Sequence, residues 1–460
     1  MLFRSRLLVA QARIAEGRAF RDLGDPQRAN AASYEANRLF TAAGDRFGEA
    51  RVLRNIGAVL MDQGDLAKAK QTFDESLQIY RELGNKAGEA AVESNIARIL
   101  AYQKQMAAAR QAHERSLALS REIGDKAAVG VALRNIASLE VDTGDLNSAK
   151  TRYQDGLAIA RELGNQSEIA RDLGGLASVV WAQGDIPAAK RLRQESLEIH
   201  RRLGEKNAYA GALMNLAMVQ LSSGDLTAAQ KLFLEAQQVF SNTENQRGIA
   251  YAVFCLGQIL EEQADLAGAK RNFEESLALR QKAGDQGYIT DTRLALGTVA
   301  MEEGRNSEGE AVARQAVKEY QAQGDVDDEL SAAGMLVQAL LAQKKIADAQ
   351  QVIATTTPAS KSTNHIARLV FSTADASVRA ASGKTAEATK ILQETIQAAR
   401  KTGFLGLQFD ARLALGETEM RFPNPDSGRA ELASLERDAK AKGFLLIARK
   451  ASAARKGHPL

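Results

Sequence analysis

The chain has 460 residues, six prolines and 5% aromatics, and its 60 basic and 57 acidic side chains leave a net charge of +3. That balance excludes a general nucleic-acid binder, which needs a strongly basic face. The lone cysteine, Cys255, excludes an intramolecular disulfide and fits a reducing cytoplasm, and no apolar run reaches the ~20 residues that cross a bilayer.

The start, MLFRSRLLVAQARIAEG, has no long apolar core followed by a small-residue cleavage site, so it is no secretion signal. Its LFRS is what a common sequencing-adapter end encodes, and a GTG before it would be translated as Met1. Residues 1–5 are therefore expected to be an assembly artefact, with the natural chain continuing upstream. An independent genomic clone encoding the same five residues behind a ribosome-binding site would refute this. The first predicted helix keeps Gly17 and Phe20 in pattern but carries Glu16 where an apolar column needs Ile or Leu, so it reads as a cap or a severed end.

From there the chain repeats. Gly24, Gly64, Gly144, Gly184, Gly224 and Gly304 stand forty residues apart or at multiples of forty. Asp25, Asp65, Asp145, Asp185 and Asp225 follow, and Asp265 keeps the register after Ala264. Half a repeat away stand Gly44, Gly84, Gly124, Gly164, Gly204, Gly284 and Gly324, mostly followed by Asp or Asn. Glycine ends a helix by adopting the left-handed conformation without a Cβ clash. Asp or Asn then caps the next helix by accepting its orphan N–H groups. The spacing predicts a new helix about every twenty residues, in antiparallel pairs.

The faces repeat too. Ile56, Ile96, Ile136, Leu176, Leu216, Leu256, Leu296 and Leu336 form one column, with Gly57, Ala97, Ala137, Ala177, Ala217, Gly257 and Gly297 beside it. The second helix has an alanine column from Ala29 and Ala69 to Ala349, broken by Gly309. A third column is small throughout: Ala36, Ser76, Ser116, Gly156, Ser196, Ala236, Ser276 and Ala316. Large beside small lets neighbouring helices interlock, and stacked pairs bury a core that one pair cannot.

The stretch LRNIGAVLMDQGDLAKAKQTFDESLQIY, with its large–small pair, Gly-Asp turn, Ala69, Phe73 and Ser76, resembles a tetratricopeptide repeat, in the longer variety of period 40. The resemblance runs from about Gly24 to Gln343. It implies an all-α, right-handed superhelical solenoid of about ten helix pairs that binds a protein or peptide in its concave groove. Such arrays resemble those attached to bacterial Ser/Thr kinases and large transcriptional activators, whose effector would lie upstream. Residues 1–343 read as the regular array, and 344–460 as a degenerate continuation and C-terminal cap.

Past Gln343, TTTPASKST reads as a loop with Pro358 as breaker. SGKT at Ser382–Thr385 lacks the earlier glycine of a phosphate loop, since Val378 stands there, and reads as an inter-helix turn. Ala430–Ala454 reads as a final helical hairpin. The basic run Lys442, Arg449, Lys450, Arg455 and Lys456 reads as a solvated tail.

No catalytic set, cofactor motif or metal-ligand spacing is present: His113, His200, His365 and His458 form no helical ligand pair. His113 shares the column of Phe73 and Tyr153 and reads as a core histidine. The chain is expected not to be an enzyme.

Asn55, Asn95, Asn135 and Asn215 recur at one mid-helix position, where asparagine is a poor helix former. In the resembled family this position faces the groove, where a carboxamide can bond a peptide backbone. Alternatively the four bridge adjacent repeats, or duplication copied them. Around the column stand Arg51, Arg54, Arg98, Arg134 and Arg171, then Met214, Met218 and Tyr251 with Trp181 and Phe254, then Glu261, Glu262, Asp291 and Glu302. The basic stretch would favour an acidic segment or a C-terminal carboxylate, and the apolar stretch an apolar anchor. Several of these, Trp181 and Phe254 above all, are expected to pack between repeats. A small-molecule sensor centred on Met214, Met218 and Tyr251, and a self-assembling array, are the alternative functions.

Overall fold

The computed structural model describes residues 2–23, 25–283, 285, 288–362, 364–421 and 425–457. Gly24, Gly284 and His458 lie outside them. Asp45, Asp65, Asn85, Asp125, Asp145, Asn165, Asp185, Asp225 and Asn245 each accept a backbone N–H three residues on, capping the helix that follows. Glycines with positive φ stand before eight of these caps, at Gly44, Gly64, Gly84, Gly124, Gly144, Gly164, Gly184 and Gly224. Lys104, Glu244, Ala264 and Lys344 hold the same left-handed turn without being glycine.

These turns cut the chain into helices, which pack first on their sequence partners. The first pairs are α1 (Leu2–Asp22) with α2 (Pro26–Ala43), α3 (Arg46–Asp62) with α4 (Leu66–Glu82), and α5 (Lys86–Tyr102) with α6 (Met106–Glu122). Next come α7 (Lys126–Asp142) with α8 (Leu146–Glu162), α9 (Gln166–Ala182) with α10 (Ile186–Leu203), and α11 (Lys206–Ser222) with α12 (Leu226–Asn242). Then follow α13 (Gln246–Glu262) with α14 (Leu266–Ala283), and α15 (Ile289–Glu302) with α16 (Asn306–Gln323). α17 (Val326–Ala342) precedes a short α18 (Ile346–Thr355), a 3-10 turn (Ala359–Lys361) and α19 (His365–Ala381), which packs directly on α17. α20 (Thr385–Thr402), α21 (Leu405–Glu419), α22 (Asp426–Lys442) and α23 (Leu445–Arg455) complete the array, and no strand occurs among the described residues. The fold is an all-α solenoid of antiparallel helix pairs.

Aromatic side chains of even-numbered helices fill the space left by glycine on odd-numbered ones. A Cβ at Gly57 would lie 2.7 Å from Phe73, and one at Gly257 would lie 2.6 Å from Phe273. The third column does more than stay small. Ser76, Ser116, Ser196 and Ser276 each donate a hydrogen bond of 2.7–2.8 Å to the carbonyl of Ala50, Ala90, Ala170 and Ala250 respectively, tying each even helix to its odd neighbour.

Three expectations need correction. Arg280, near the end of α14, is 2% exposed and lies between the Phe254 and Tyr288 rings, 4.9 and 5.1 Å from their centroids. It donates to the Tyr288 carbonyl, and α15 starts only at Ile289, about a turn late. The final hairpin begins at Asp426, not Ala430. The basic run is not a solvated tail: most of it lies on α22 and α23, and Lys450 is turned onto Glu302.

Candidate functional site

Odd-numbered helices touch their next odd-numbered neighbours along the array: α1 with α3, α3 with α5, α5 with α7, α7 with α9, and α13 through α23. Among the described residues the even-numbered helices show no comparable packing on one another. Helices on the inside of a curve crowd together, so the odd ones form the concave wall.

The asparagine column lies on this wall, and its four members differ. Asn135 Nδ2 donates to Ser94 Oγ at 2.9 Å, bridging adjacent repeats. Asn55 is 8% exposed, and its Nδ2 has no partner. The residue corresponding to Ser94 there is Ile14, which accepts no hydrogen bond. Asn95 is half-buried and Asn215 exposed.

The arginines divide into two groups. Arg134 Nη1 lies 3.2 Å from Asp172 and also meets Glu168, which takes Arg171 at 3.0 Å. Arg51, Arg54 and Arg98 make no ion pair among the described residues, and the buried Arg51 Nε lacks an acceptor. Burial raises the Tyr80 hydroxyl above its usual range, and Arg54, Arg51 and Arg18 together pull it back, so their charges share one neighbourhood. His113 is 4% exposed, as a core histidine should be. Burial, with Arg98 adding to it, lowers its imidazole to about 4 and keeps it neutral.

The apolar middle is closed by the chain itself. Met214 is 3% exposed and belongs to one apolar cluster that α11–α13 share with Phe409, Leu432, Phe444 and Ile447 of the C-terminal helices; Met218 and Phe254 pack against it. Met214 is thus withdrawn from any partner, because distant segments of the same chain cover it. Trp181 packs edge-on to Phe404, and its Nε1 donates to Ser222 Oγ at 3.2 Å. Tyr251 is 40% exposed, yet surrounding protein pushes its hydroxyl up; the neighbouring Cys255 thiol is buried and raised to about 12.

Closure depends on turn glycines. A Cβ at Gly184 would strike the Lys401 carbonyl oxygen, and one at Gly224 would strike Leu405, whereas Gly64 and Gly304 have open space. Polar contacts also join distant turns: Lys104 Nζ lies 2.9 Å from Asp325, and Arg247 donates to the Asp62 carbonyl. Sequence inspection missed this seam, because no local pattern marks contacts between residues so far apart.

Among the described residues no three His, Cys, Asp or Glu side chains are placed to hold a metal ion. No described helix is long and apolar enough to cross a membrane.

Two family descriptions match: "MalT-like TPR region" over residues 185–410, and "Tetratricopeptide repeat" over 48–122 and 88–162. The chain is a tetratricopeptide repeat protein, and its middle resembles the MalT-type region. No curated protein matches it. Among solved structures, it is similar to the apo form of the quorum sensor NprR from B. thuringiensis, with 18% identity, a TM-score of 0.50, and coverage of 68% of this chain and 86% of that one. It is also similar to aspartyl phosphate phosphatase F from Bacillus subtilis, with 13% identity, a TM-score of 0.50, and coverage of 75% and 92%. At these identities the likeness is one of fold.

Proposed function

We propose that the concave wall of α3, α5 and α7 binds an extended acidic segment of a protein partner. The observation that carries this is the set of uncompensated donors there. Arg51, Arg54 and Arg98 have no carboxylate among the described residues, while Arg134 and Arg171 nearby do. Arg51 Nε and Asn55 Nδ2 are buried without acceptors. Arg51 and Arg54 are half-buried and Arg98 is exposed; guanidinium–carboxylate bonds are charge-assisted, and an extended backbone offers carbonyls to the asparagines. Residues 1–343 would be the recognition array and 344–460 the closing cap of a cytoplasmic signalling protein, with any effector upstream. Genomic DNA upstream of the Arg6 codon would show such a domain or a start codon.

Fluorescence anisotropy with a labelled acidic decapeptide tests the binding, with a lysine-rich peptide of equal length as control. The acidic peptide should bind and the basic one should not. Arg54→Ala with Arg98→Ala should weaken binding at least about tenfold, each charge-assisted bond being worth ~1.5–3 kcal/mol, with helicity and melting unchanged. Equal binding of both peptides, or no effect of the double variant, would refute the proposal. The small-molecule alternative has lost Met214, the centre of the patch that motivated it.

A further inference from the structure

At the seam where α23 packs on α13, one ammonium pairs with one carboxylate and its charge acts on four more. Glu261 and Glu262 end α13, Glu302 ends α15, Asp410 and Glu417 lie on α21, and Lys450 reaches in from α23. Lys450 pairs directly with Glu302, whose side chain is 11% exposed. It acts through space on the other four. Arg421 adds its charge at Glu417. The carboxylates are too dispersed to enclose a metal ion, whereas a lysine on a long stem can serve several at once.

Burial, reinforced by like charges, pushes Glu261 and Glu262 up to about 8. Desolvation by the surrounding protein raises Asp410 to about 6 and raises Glu417 too, although both side chains are exposed. Burial works against the charge of Lys450, and Glu302, Asp410 and Glu261 outweigh it, so the ammonium is held above its usual range. The seam around it is closely fitted, with Leu405 over Gly224 and Leu226 beside Gly443.

We propose that α23 is a charge-dependent latch: Lys450 seats the C-terminal helices on α13 and α15, and loss of its ammonium opens the superhelix along this seam. The pH dependence follows from the signs. A carboxyl raised in the closed form weakens that form once ionised. Closure is therefore least favourable above about pH 8 and most favourable near the ordinary carboxyl range. Lys450 matters most at high pH and least in mild acid.

The test uses the full chain, with small-angle scattering and hydrogen exchange of α23 at pH 8.5 and 5.5, corrected for intrinsic rates. The native chain should have the same radius of gyration at both. Lys450→Met keeps the stem and removes the charge. It should expand the particle and speed α23 exchange at least tenfold at pH 8.5, and return to native values at pH 5.5. Lys450→Arg should stay closed at both. Lys450→Met indistinguishable from native at both pH values, or equally open at both, would overturn the proposal. Should Lys450→Met fail to fold, Glu261→Gln with Glu262→Gln decides. With Lys450 retained, melting should lose its fall between pH 5.5 and 8.5, and an unchanged fall would overturn the latch. No outcome depends on peptide binding at the basic face.

Discussion

Trp181 meets Phe404 edge-on, with ring centroids 5.3 Å apart and an interplanar angle of 73°. One ring lies at the end of α9, in the middle of the array; the other immediately precedes α21. Phe404 is 8% exposed, so the contact is part of a core rather than a surface touch. Phe404→Ala should remove ~3–5 kcal/mol from that seam. The regular repeats before it keep their own neighbours, and solenoid stability is a sum of local terms. Urea unfolding should therefore split into two transitions, with the C-terminal helices released first. A single transition at the native midpoint would show that the seam contributes nothing.

The turn glycines supply an internal control. Gly64 and Gly184 hold nearly the same backbone, with φ of 83° and 86°. Alanine at either carries the left-handed strain of ~1–2 kcal/mol. Only at Gly184 does the new Cβ also run into backbone, at Lys401 and Thr402. Gly184→Ala should cost about 1–3 kcal/mol more than Gly64→Ala by chemical denaturation, the usual range for overpacking. Equal losses would mean that the C-terminal helices do not rest there.

This contrast marks what the sequence can carry. A cap is decided within four residues, so Asp65 and Asn85 could be assigned from their neighbours alone, and both accept the backbone N–H expected of them. The Asn135–Ser94 bridge was one of several open readings, because it depends on what the previous repeat offers. For Met214 the spacing indicated the concave wall. What covers it comes from α21–α23, and no periodicity within the array encodes that approach. Nothing near Arg280 in the chain announces its burial, because the rings that enclose it come from two other elements.

The serine column read as merely small, yet it bonds. Ser116 Oγ donates to the Ala90 carbonyl at 2.8 Å in a buried setting. That carbonyl keeps its helical partner when the hydroxyl goes, so no acceptor is stranded. Ser116→Ala should cost ~0.5–1.5 kcal/mol, the net worth of one hydrogen bond. Ala236, in the same column, has no hydroxyl, and Ala236→Ser should recover little, since Ala236 is fully buried and extra volume must be fitted there. Thermal melts of the two variants measure both. A Ser116→Ala chain as stable as the native one would reduce the column to packing alone.

His113 sets a titration that the repeat itself would not have. Its column holds Phe73, Phe233 and Phe273, all fully buried, and His113 is 4% exposed among them. Burial lowers the imidazole to about 4 from an ordinary 6.5. A base depressed in the folded state favours unfolding once the unfolded chain takes up a proton. Stability is complete above 6.5 and falls until about 4, by ~3 kcal/mol for this group. His113→Phe replaces it with the residue its column prefers, beside the small Ala97, as Phe233 is beside Ala217. The variant should lose that share of the slope between pH 6.5 and 4 in urea midpoints. At pH 7, where the native histidine is already neutral, the difference should be small. An unchanged slope would mean that the acid sensitivity resides elsewhere, and that the His113 pocket admits enough water to protonate the ring in place.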